Sequence, residues 1–333
     1  MEKLRMGVLG CSGHYSLRVS NPIRSSLLVE PYGIASRSLE RAKEYAENWG
    51  FTRAYGSYEE LLNDPKIDFV YCPLPNNLHL EYIKKAADAG KPILCEKPLG
   101  MNAKEAVEAA EYCRKKGTLV MEAFMYRLHP QWVTAAGIVR CGELGRVMST
   151  AGIFSYDLKD GANIRNRMET GGGGIYDIGC YTVSSARLLM GAEPERVVCT
   201  LRRDPSFKTD IYASALLDFG DGRVSTFTVG TQLFPWQRVR AVGTGGTLAV
   251  EVPFNMYGDS PGRVYVNTGV GQRIIETEIA DQYLLEFDAF ALAVAEKHSE
   301  APVPISDAAA NMAVLDALYA SAVSGGWENV VRY

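Results

Sequence analysis

The sequence predicts an α/β domain built on a doubly wound parallel sheet, followed by an α+β domain with a large, mostly antiparallel open sheet. In the first 125 residues, short apolar segments alternate with segments of helical periodicity, which is the pattern of βαβ units. After about residue 145 the strand-like segments alternate in polarity, as strands with one buried face do. The length of 333 residues suits two domains, which we expect at 1–125 and 126–333.

The strand segments of the first domain are apolar throughout, which predicts strands buried on both faces. Gly50, Gly90 and Gly117 stand where the intervening helices would end. These patterns predict strands at 5–10, 33–36, 67–73, 92–95 and 119–123, and helices at 39–49, 58–63, 78–89 and 103–116.

The second domain is predicted to be a meandering sheet with two helices at its end. Gly220-Asp221-Gly222 is a hairpin signal, and residues 243–246 form a second glycine-rich turn. The last helix, about 305–325, is expected to pack back on the first domain. The predicted strands are 146–157, 195–201, 212–219, 223–229, 238–242 and 263–267, and the other helix carries apolar residues from Leu284 to Val294.

Composition excludes several classes of partner. The chain has 35 Lys and Arg against 39 Asp and Glu, a net charge of -4, so neither nucleic acid nor an anionic membrane is expected to bind. The seven cysteines are odd in number and form no Cys-x-x-Cys pair, which favours buried free thiols and a cytoplasmic location. Four scattered histidines favour no metal site.

The N-terminal strand runs into a glycine-rich turn at Gly10, Ser12 and Gly13, where a Rossmann fold binds a pyrophosphate on backbone N–H groups. Counted from Gly10, the second and third glycines of Gly-x-Gly-x-x-Gly are replaced by Ser12 and Tyr15. The motif is therefore weak by itself, and a plain strand–turn–helix would fit equally well.

The end of the second strand indicates which dinucleotide would bind. It carries Ser36 and Arg37 in place of the acidic residue that accepts from a ribose 2′-hydroxyl. Arg37 suits a 2′-phosphate, and Arg41 can add a second cation one helical turn later. We therefore expect NADP(H), with NAD(H) as the alternative cofactor, although both arginines could also be ordinary surface charges.

Two further motifs carry chemistry. Glu96-Lys97-Pro98 follows the strand at 92–95, which puts Lys97 at the carboxyl edge of the parallel sheet, where such folds bind ligands. Four glycines at 171–174 precede a predicted helix that carries Asp177 and Tyr181 four residues apart on one face. The glycines could allow close approach of a ligand or form a flexible loop.

With these residues the chain resembles, over nearly its whole length, the family of glucose-fructose oxidoreductase, inositol dehydrogenase and MocA (Gfo/Idh/MocA). The residues that carry the resemblance are the N-terminal turn, residues 73–79 (Pro-Leu-Pro-Asn-Asn-Leu-His), Glu96-Lys97-Pro98, residues 126–131 (Tyr-Arg-Leu-His-Pro-Gln), the glycine run with Asp177 and Tyr181, and Gly243-Thr244-x-Gly246. Inositol dehydrogenases of this family have His where this chain has Tyr181. The tyrosine resembles the branch of dihydrodiol dehydrogenases, D-xylose dehydrogenases and sugar ketoreductases.

The resemblance implies a role for each motif. Lys97 would contact the nicotinamide ribose and the substrate, and its ammonium group would favour the phenolate of Tyr181. Tyr181 would then exchange a proton with the substrate oxygen while Asp177 orients it. As alternatives, Tyr181 is a core aromatic and Asp177 a first-turn helix charge. The resemblance further assigns Pro73, Asn76, His79 and Glu96 to the cofactor and Arg165 to the substrate.

Arg127 and His129 leave the last strand of the first domain at the carboxyl edge of the sheet, so both can bind substrate hydroxyls. The alternative for His129 is a structural hinge residue. The function expected from all these residues is an NADP(H)-dependent oxidoreductase of a sugar or ketosugar. The alternatives are a non-catalytic NADP-binding sensor and a reductase of a dihydrodiol-like or bilin-like substrate. We also expect a homodimer or homotetramer.

Overall fold

The computed structural model describes residues 2–333, which divide into two compact units. One unit runs to Met125 and includes Asp281–Ala309, and the other consists of Tyr126–Ala280 and Ala310–Tyr333. Each unit contains one sheet. The predicted fold class, a parallel doubly wound sheet and a mostly antiparallel sheet, is confirmed.

The first sheet has six parallel strands in the order β3-β2-β1-β4-β5-β6, which is the strand order of a Rossmann fold. Val8, Val70 and Leu94 have no exposed surface, as expected of central strands with both faces covered. The sequence missed β3, which has only three residues. The strands are β1 Leu4–Leu9, β2 Val29–Ala35, β3 Arg53–Tyr55, β4 Phe69–Cys72, β5 Ile93–Glu96 and β6 Val120–Ala123.

The helices of the first unit begin and end at residues that suit helix termini. Ser38 and Asn102 accept backbone N–H groups at the starts of α2 and α5, and Gly50 and Gly117 end these helices in the left-handed conformation. The predicted bounds of α2 and α5 are confirmed. The helices are α1 Ser20–Arg24, α2 Leu39–Trp49, α3 Tyr58–Leu62, α4 His79–Asp88, α5 Ala103–Lys116 and α8 Gln282–Ala295.

The second sheet has nine strands in the order β14-β13-β12-β11-β7-β10-β9-β8-β15. Only the β7–β10 pair is parallel among the strand pairs of residues 2–333 assigned to this sheet. The sequence missed β12, β14 and β15. Of these, β14 gives no strand signal because it is mostly exposed and lacks a clear alternation. The strands are β7 Val147–Asp157, β8 Arg196–Arg203, β9 Asp210–Asp218, β10 Val224–Gly230, β11 Gln232–Gly243, β12 Gly246–Val250, β13 Pro261–Thr268, β14 Gly271–Ile279 and β15 Glu328–Asn329.

The helices of the second unit are α6 Pro130–Arg140 and α7 Cys180–Met190, together with most of α9 Ile305–Ser324. The helix α6 was not predicted. A π-helical turn, Ile175–Gly179, precedes α7, and a similar turn, Tyr15–Val19, precedes α1. Both follow a glycine-rich segment, and such turns occur frequently at functional sites.

The cysteines are free thiols, and five of the seven are buried; Cys11 is partly exposed and Cys141 is exposed. None of the helices formed by residues 2–333 combines the length and the apolar character that crossing a membrane requires.

Candidate active site

The glycine-rich turn of the first unit follows β1 directly. Gly10 has φ 105°, and an added Cβ would lie 2.9 Å from Leu74 Cδ2, so only glycine fits there. The Ser12 hydroxyl accepts from the Tyr15 backbone N–H at 3.1 Å, which fixes the start of the following helical turn. An added Cβ on Gly13 would have no atom within 4 Å, so a ligand can approach the backbone from this side.

The residues predicted to bind a 2′-phosphate lie beside this turn. Ser36 is buried after β2, and Arg37 is exposed. Arg41 donates from Nη2 to the Cys11 carbonyl at 3.2 Å, which brings its guanidinium to the glycine-rich turn. The exposed cation of Arg37, the second cation of Arg41 and the open side of Gly13 fit a phosphorylated dinucleotide.

One residue near the turn was not singled out from the sequence. The Tyr58 hydroxyl lies 3.7 Å from the position that a Cβ on Gly10 would take, and its ring packs edge-on against Tyr82 at 4.9 Å. Burial raises the pKa of Tyr58, so its hydroxyl stays protonated. An aromatic residue in a short helix gives no sequence signal of such proximity.

His79 connects the segment at 73–79 to the Lys97 segment. Its Nδ1 lies 2.9 Å from the Pro98 carbonyl and its Nε2 lies 2.8 Å from the Leu74 carbonyl. Pro73 is buried and Asn76 begins the turn Asn76–Leu78. Cys72 and Cys95 lie close to His79, but both ring nitrogens of that histidine already face carbonyl oxygens, so this group does not suit a metal ion.

Glu96 is the last residue of β5, and its side chain links the loop that carries Lys97 to His14, which follows the glycine-rich turn. Its Oε1 accepts from the Tyr71 hydroxyl at 2.6 Å and lies 3.3 Å from His14 Nε2. Burial alone would raise the pKa of Glu96, but the charge of His14, the hydrogen bond from Tyr71 and the charge of Lys97 together bring it to about 2. Glu96 is therefore a carboxylate at neutral pH, next in the chain to Lys97.

In the second unit, the four glycines form a packed segment and not a flexible loop. The N–H of Gly172 donates to the Arg167 carbonyl at 2.8 Å, and the N–H of Gly173 donates to the Arg165 carbonyl at 3.0 Å. A Cβ on Gly172 would lie 2.5 Å from the Arg165 carbonyl oxygen. The glycines are needed because backbone packs against backbone here.

Asp210, at the start of β9, fixes the beginning of the helix that carries Asp177. Its carboxylate accepts from the Ile175 N–H at 2.7 Å and from the Tyr319 hydroxyl at 2.8 Å. Burial raises the pKa of Asp210 even though these hydrogen bonds lower it. Gly173 has φ 127°, and any Cβ on it would overlap the Asp210 carboxylate.

Asp177 and Arg165, both of which were predicted to contact the substrate, are in hydrogen-bond contact with each other. Arg165 Nε donates to Asp177 Oδ1 at 3.1 Å, and the Tyr156 hydroxyl donates to Asp177 Oδ2 at 2.5 Å. Tyr156 was not predicted, because it is one of several alternating residues on a long strand. We refer to Tyr156, Arg165 and Asp177 as the Asp177 group.

Tyr181 is 6% exposed and lies among aromatic rings of the second unit. Its ring centroid is 5.3 Å from that of Phe254, 5.7 Å from Phe154 and 5.9 Å from Tyr126. The Tyr181 ring is therefore packed as a core aromatic, which was the alternative interpretation of this residue. Because the π-helical turn ends just before α7, Tyr181 follows Asp177 by about one turn.

Arg127 and His129 occupy the segment between β6 and α6. Arg127 Nη1 donates to the Ser184 hydroxyl at 3.4 Å, and Tyr126 shares a 2.6 Å hydrogen bond with the same hydroxyl. His129 is fully buried; its Nδ1 accepts from the Gln131 N–H at 3.3 Å and its Nε2 lies 3.3 Å from the Ala280 carbonyl. These contacts favour the structural interpretation of His129.

The two units together define a class of protein. One has the strand order and glycine-rich turn of a dinucleotide-binding fold, with an exposed arginine where a phosphate would bind. The other carries a phenol, a carboxylate and a guanidinium in hydrogen-bond contact. These are the features of a nicotinamide-dependent oxidoreductase.

Comparison with known proteins places the chain in a family within that class. Residues 4–124 match the oxidoreductase family with an NAD-binding Rossmann fold, and residues 132–249 match the GFO/IDH/MocA C-terminal domain. The chain therefore belongs to the Gfo/Idh/MocA oxidoreductase family. The prediction of the family and of an NAD(P)-dependent oxidoreductase is confirmed.

Three similar proteins cover almost the whole chain. An uncharacterized oxidoreductase of Rhizobium meliloti is 37% identical over 99% of this chain and 100% of its own length. A D-xylose 1-dehydrogenase (NADP(+)) of Haloferax volcanii is 38% identical over 97% of this chain and 98% of its own. The crystal structure of a 3-ketoreductase from Actinomadura kijaniata with NADP and TDP-benzene has a TM-score of 0.89, 30% identity, and coverage of 96% and 98%.

Proposed function

We propose that the protein is an NADP(H)-dependent oxidoreductase of sugars or ketosugars, in which Tyr181 exchanges a proton with the substrate oxygen and Lys97 assists it. The observation that carries the proposal is the Asp177 group, which pairs a carboxylate with a phenol and a guanidinium. Asp177 itself lies one helical turn before Tyr181. The D-xylose dehydrogenase and the ketoreductase among the relatives support the substrate class.

The cofactor preference rests on the residues beside the glycine-rich turn. Arg37 follows the second strand where an acidic residue would bind a 2′-hydroxyl, and Arg41 reaches the turn itself. Bound NADP(H) would supply or accept the hydride. Glu96, next to Lys97, is held as a carboxylate by His14 and Tyr71, so the loop that carries Lys97 is tied to the turn that would bind the cofactor phosphates.

Each residue of the proposed site has a task in general acid–base catalysis. Tyr181 would donate its proton when a carbonyl is reduced and accept one when an alcohol is oxidised. The ammonium group of Lys97 would favour the phenolate form of Tyr181. Asp177 would orient the substrate hydroxyl, and the aromatic rings around Tyr181 would exclude water from the proton transfer.

The first test separates the enzyme from a non-catalytic sensor. NADPH and NADH binding would be measured by fluorescence titration, and turnover would be measured with a panel of aldoses, ketosugars and dihydrodiols. We expect NADPH preference, turnover of a sugar, and loss of about 10²- to 10⁴-fold in kcat for Tyr181→Phe with unchanged NADPH affinity. Tyr257→Phe is the matched control, because Tyr257 is 67% exposed in the same unit.

The outcomes of this test decide between the alternatives. Full turnover by Tyr181→Phe would contradict the role of Tyr181. NADPH binding by the wild type without turnover of any substrate would favour the sensor. Turnover of a dihydrodiol but of no sugar would replace the substrate class and leave the family chemistry in place.

We further propose that the protein acts in the cytoplasm as a homodimer or homotetramer. Phe234 and Trp236 on β11 are 87% and 54% exposed, and adjacent exposed aromatic residues of this size commonly mark subunit contacts. Light scattering that gives only the monomer mass at working concentrations would contradict the assembly.

A further inference from the structure

We propose that Tyr156 determines substrate specificity: within the Asp177 group it accepts a hydrogen bond from one sugar hydroxyl and so selects substrates that carry that hydroxyl over their deoxy analogues. This inference rests on the function proposed above, and it names the part of the sugar that the site recognises. It does not depend on which residue transfers the proton.

The geometry of the Tyr156 hydroxyl sets what it can offer to a ligand. Its proton points to Asp177 Oδ2 at 2.5 Å. A phenol has one donor and can still accept through its oxygen, so toward a ligand Tyr156 presents an acceptor. The matching partner is a donor such as a sugar O–H, whereas a phosphate oxygen would meet another acceptor.

The charges of the group favour an uncharged ligand at this position. Arg165 Nε lies 3.1 Å from Asp177 Oδ1, so the positive charge of the guanidinium offsets the negative charge of the carboxylate. Burial, followed by the Asp177 charge, raises the pKa of Tyr156, so the phenol stays neutral over the physiological range. The group as a whole is neutral, unlike the two arginines beside the glycine-rich turn of the first unit.

The group is also held rigidly, which a specificity determinant requires. Tyr156 lies near the end of β7, within the nine-stranded sheet. Arg165 belongs to the segment whose carbonyl groups bind the N–H groups of Gly172 and Gly173. Asp177 follows Ile175, whose N–H is fixed by Asp210 at 2.7 Å. The backbone of each of these segments is therefore held in place, and the three side chains are joined by their hydrogen bonds to Asp177.

A site that pairs a substrate hydroxyl with a partly buried polar group rejects an analogue without that hydroxyl, because the polar group then loses its partner. Tyr156 is half-buried, so the cost of an incorrect ligand is only partly relieved by water. We expect the missing hydroxyl to lower kcat/KM by about 10- to 100-fold, which corresponds to the loss of one hydrogen bond to a group of this kind.

The experiment compares the preferred sugar with each of its monodeoxy analogues in the wild type, in Tyr156→Phe and in the control Tyr257→Phe. The quantity measured is the ratio of kcat/KM for the sugar to that for each analogue. We expect one analogue to be disfavoured by the wild type and by the control, and its ratio to fall toward unity in Tyr156→Phe. Because both substrates are measured on the same protein preparation, the ratio cancels any loss of folded enzyme.

A second measurement does not need turnover. Saturation-transfer NMR with the free sugar would compare the saturation received by each of its C–H protons in the wild type and in Tyr156→Phe, and we expect the transfer at one position to fall relative to the others in the variant. Ratios that are unchanged for every analogue would overturn the inference about Tyr156 while leaving the oxidoreductase in place. Absence of sugar turnover by the wild type would instead contradict the proposed function.

Discussion

Glu286, on α8, is a buried carboxyl group whose pKa the fold raises, and its replacement by glutamine tests this directly. Its side chain is 1% exposed, and its Oε1 has no hydrogen-bond partner among residues 2–333. Burial, and next the charge of Glu96, raises the pKa of Glu286 well above 4.5. In the unfolded chain the same group ionises near its ordinary value, so at a pH between the unfolded and the folded pKa folding takes up a proton.

The sign and size of the effect follow from this linkage. Between the unfolded and the folded pKa, the folded state binds one more proton, so the free energy of unfolding falls as the pH rises. For a group that is fully protonated when folded and fully ionised when unfolded, the fall is about 1.4 kcal/mol per pH unit. For each pH unit between its unfolded and its folded pKa, Glu286 should therefore cost the protein about 1.4 kcal/mol of stability.

Glu286→Gln removes the titration and keeps the shape of the side chain. We expect the variant to be more stable than the wild type at about pH 7.5, with the difference growing by about 1.4 kcal/mol per pH unit above about pH 5.5. The assay is urea denaturation of both proteins at several pH values, with Glu47→Gln as the control because Glu47 is exposed on α2 of the same unit.

Infrared difference spectra of the folded proteins give an independent check. The wild type should show the carbonyl stretch of a protonated carboxyl group at about pH 7, and Glu286→Gln should lack it. A stability difference that stays constant from about pH 5.5 to about pH 7.5 would refute the reasoning, since an ionised Glu286 takes up no proton on folding.

Three other substitutions test separate parts of the structure. Gly173→Ala should destabilise the second unit by more than about 2 kcal/mol in urea denaturation, because Gly173 has φ 127° and the added Cβ would overlap the Asp210 carboxylate. Gly50→Ala is the comparison: Gly50 has φ 78° but open space around it, so this substitution should cost only about 1 kcal/mol. Arg37→Ala should lower the affinity for NADPH at least about 10-fold and leave that for NADH unchanged in fluorescence titration; equal losses for both would contradict the phosphate site. Tyr126→Phe should lower the free energy of unfolding by about 1 kcal/mol, since it removes the 2.6 Å hydrogen bond with the Ser184 hydroxyl; an unchanged stability would show that the bond contributes nothing.

The sequence by itself determined the fold class and most elements, because the signals for them are local. Apolar segments with no polar face mark strands buried on both sides, and Gly50 marks the end of α2. The elements that it missed lack such signals: β3 is too short for a period, and β14 is exposed and pairs only at the edge of its sheet.

The sequence also pointed to Asp177, Lys97 and the glycine-rich turn, because these residues stand in contiguous motifs, and the family resemblance added Arg165. Only the tertiary structure brought Tyr156 to Asp177, and Asp210 to the N–H of Ile175, across 21 and 35 residues of chain. The four glycines at 171–174 are another feature whose role could not be read from the sequence alone.

From sequence alone, four glycines indicate either a ligand or a flexible loop, whereas in the structure they pack against the Arg165 and Arg167 carbonyl groups. The physical reason is that a hydrogen bond between distant segments leaves no periodic trace in either of them, while a helix or a strand repeats its pattern along its own length.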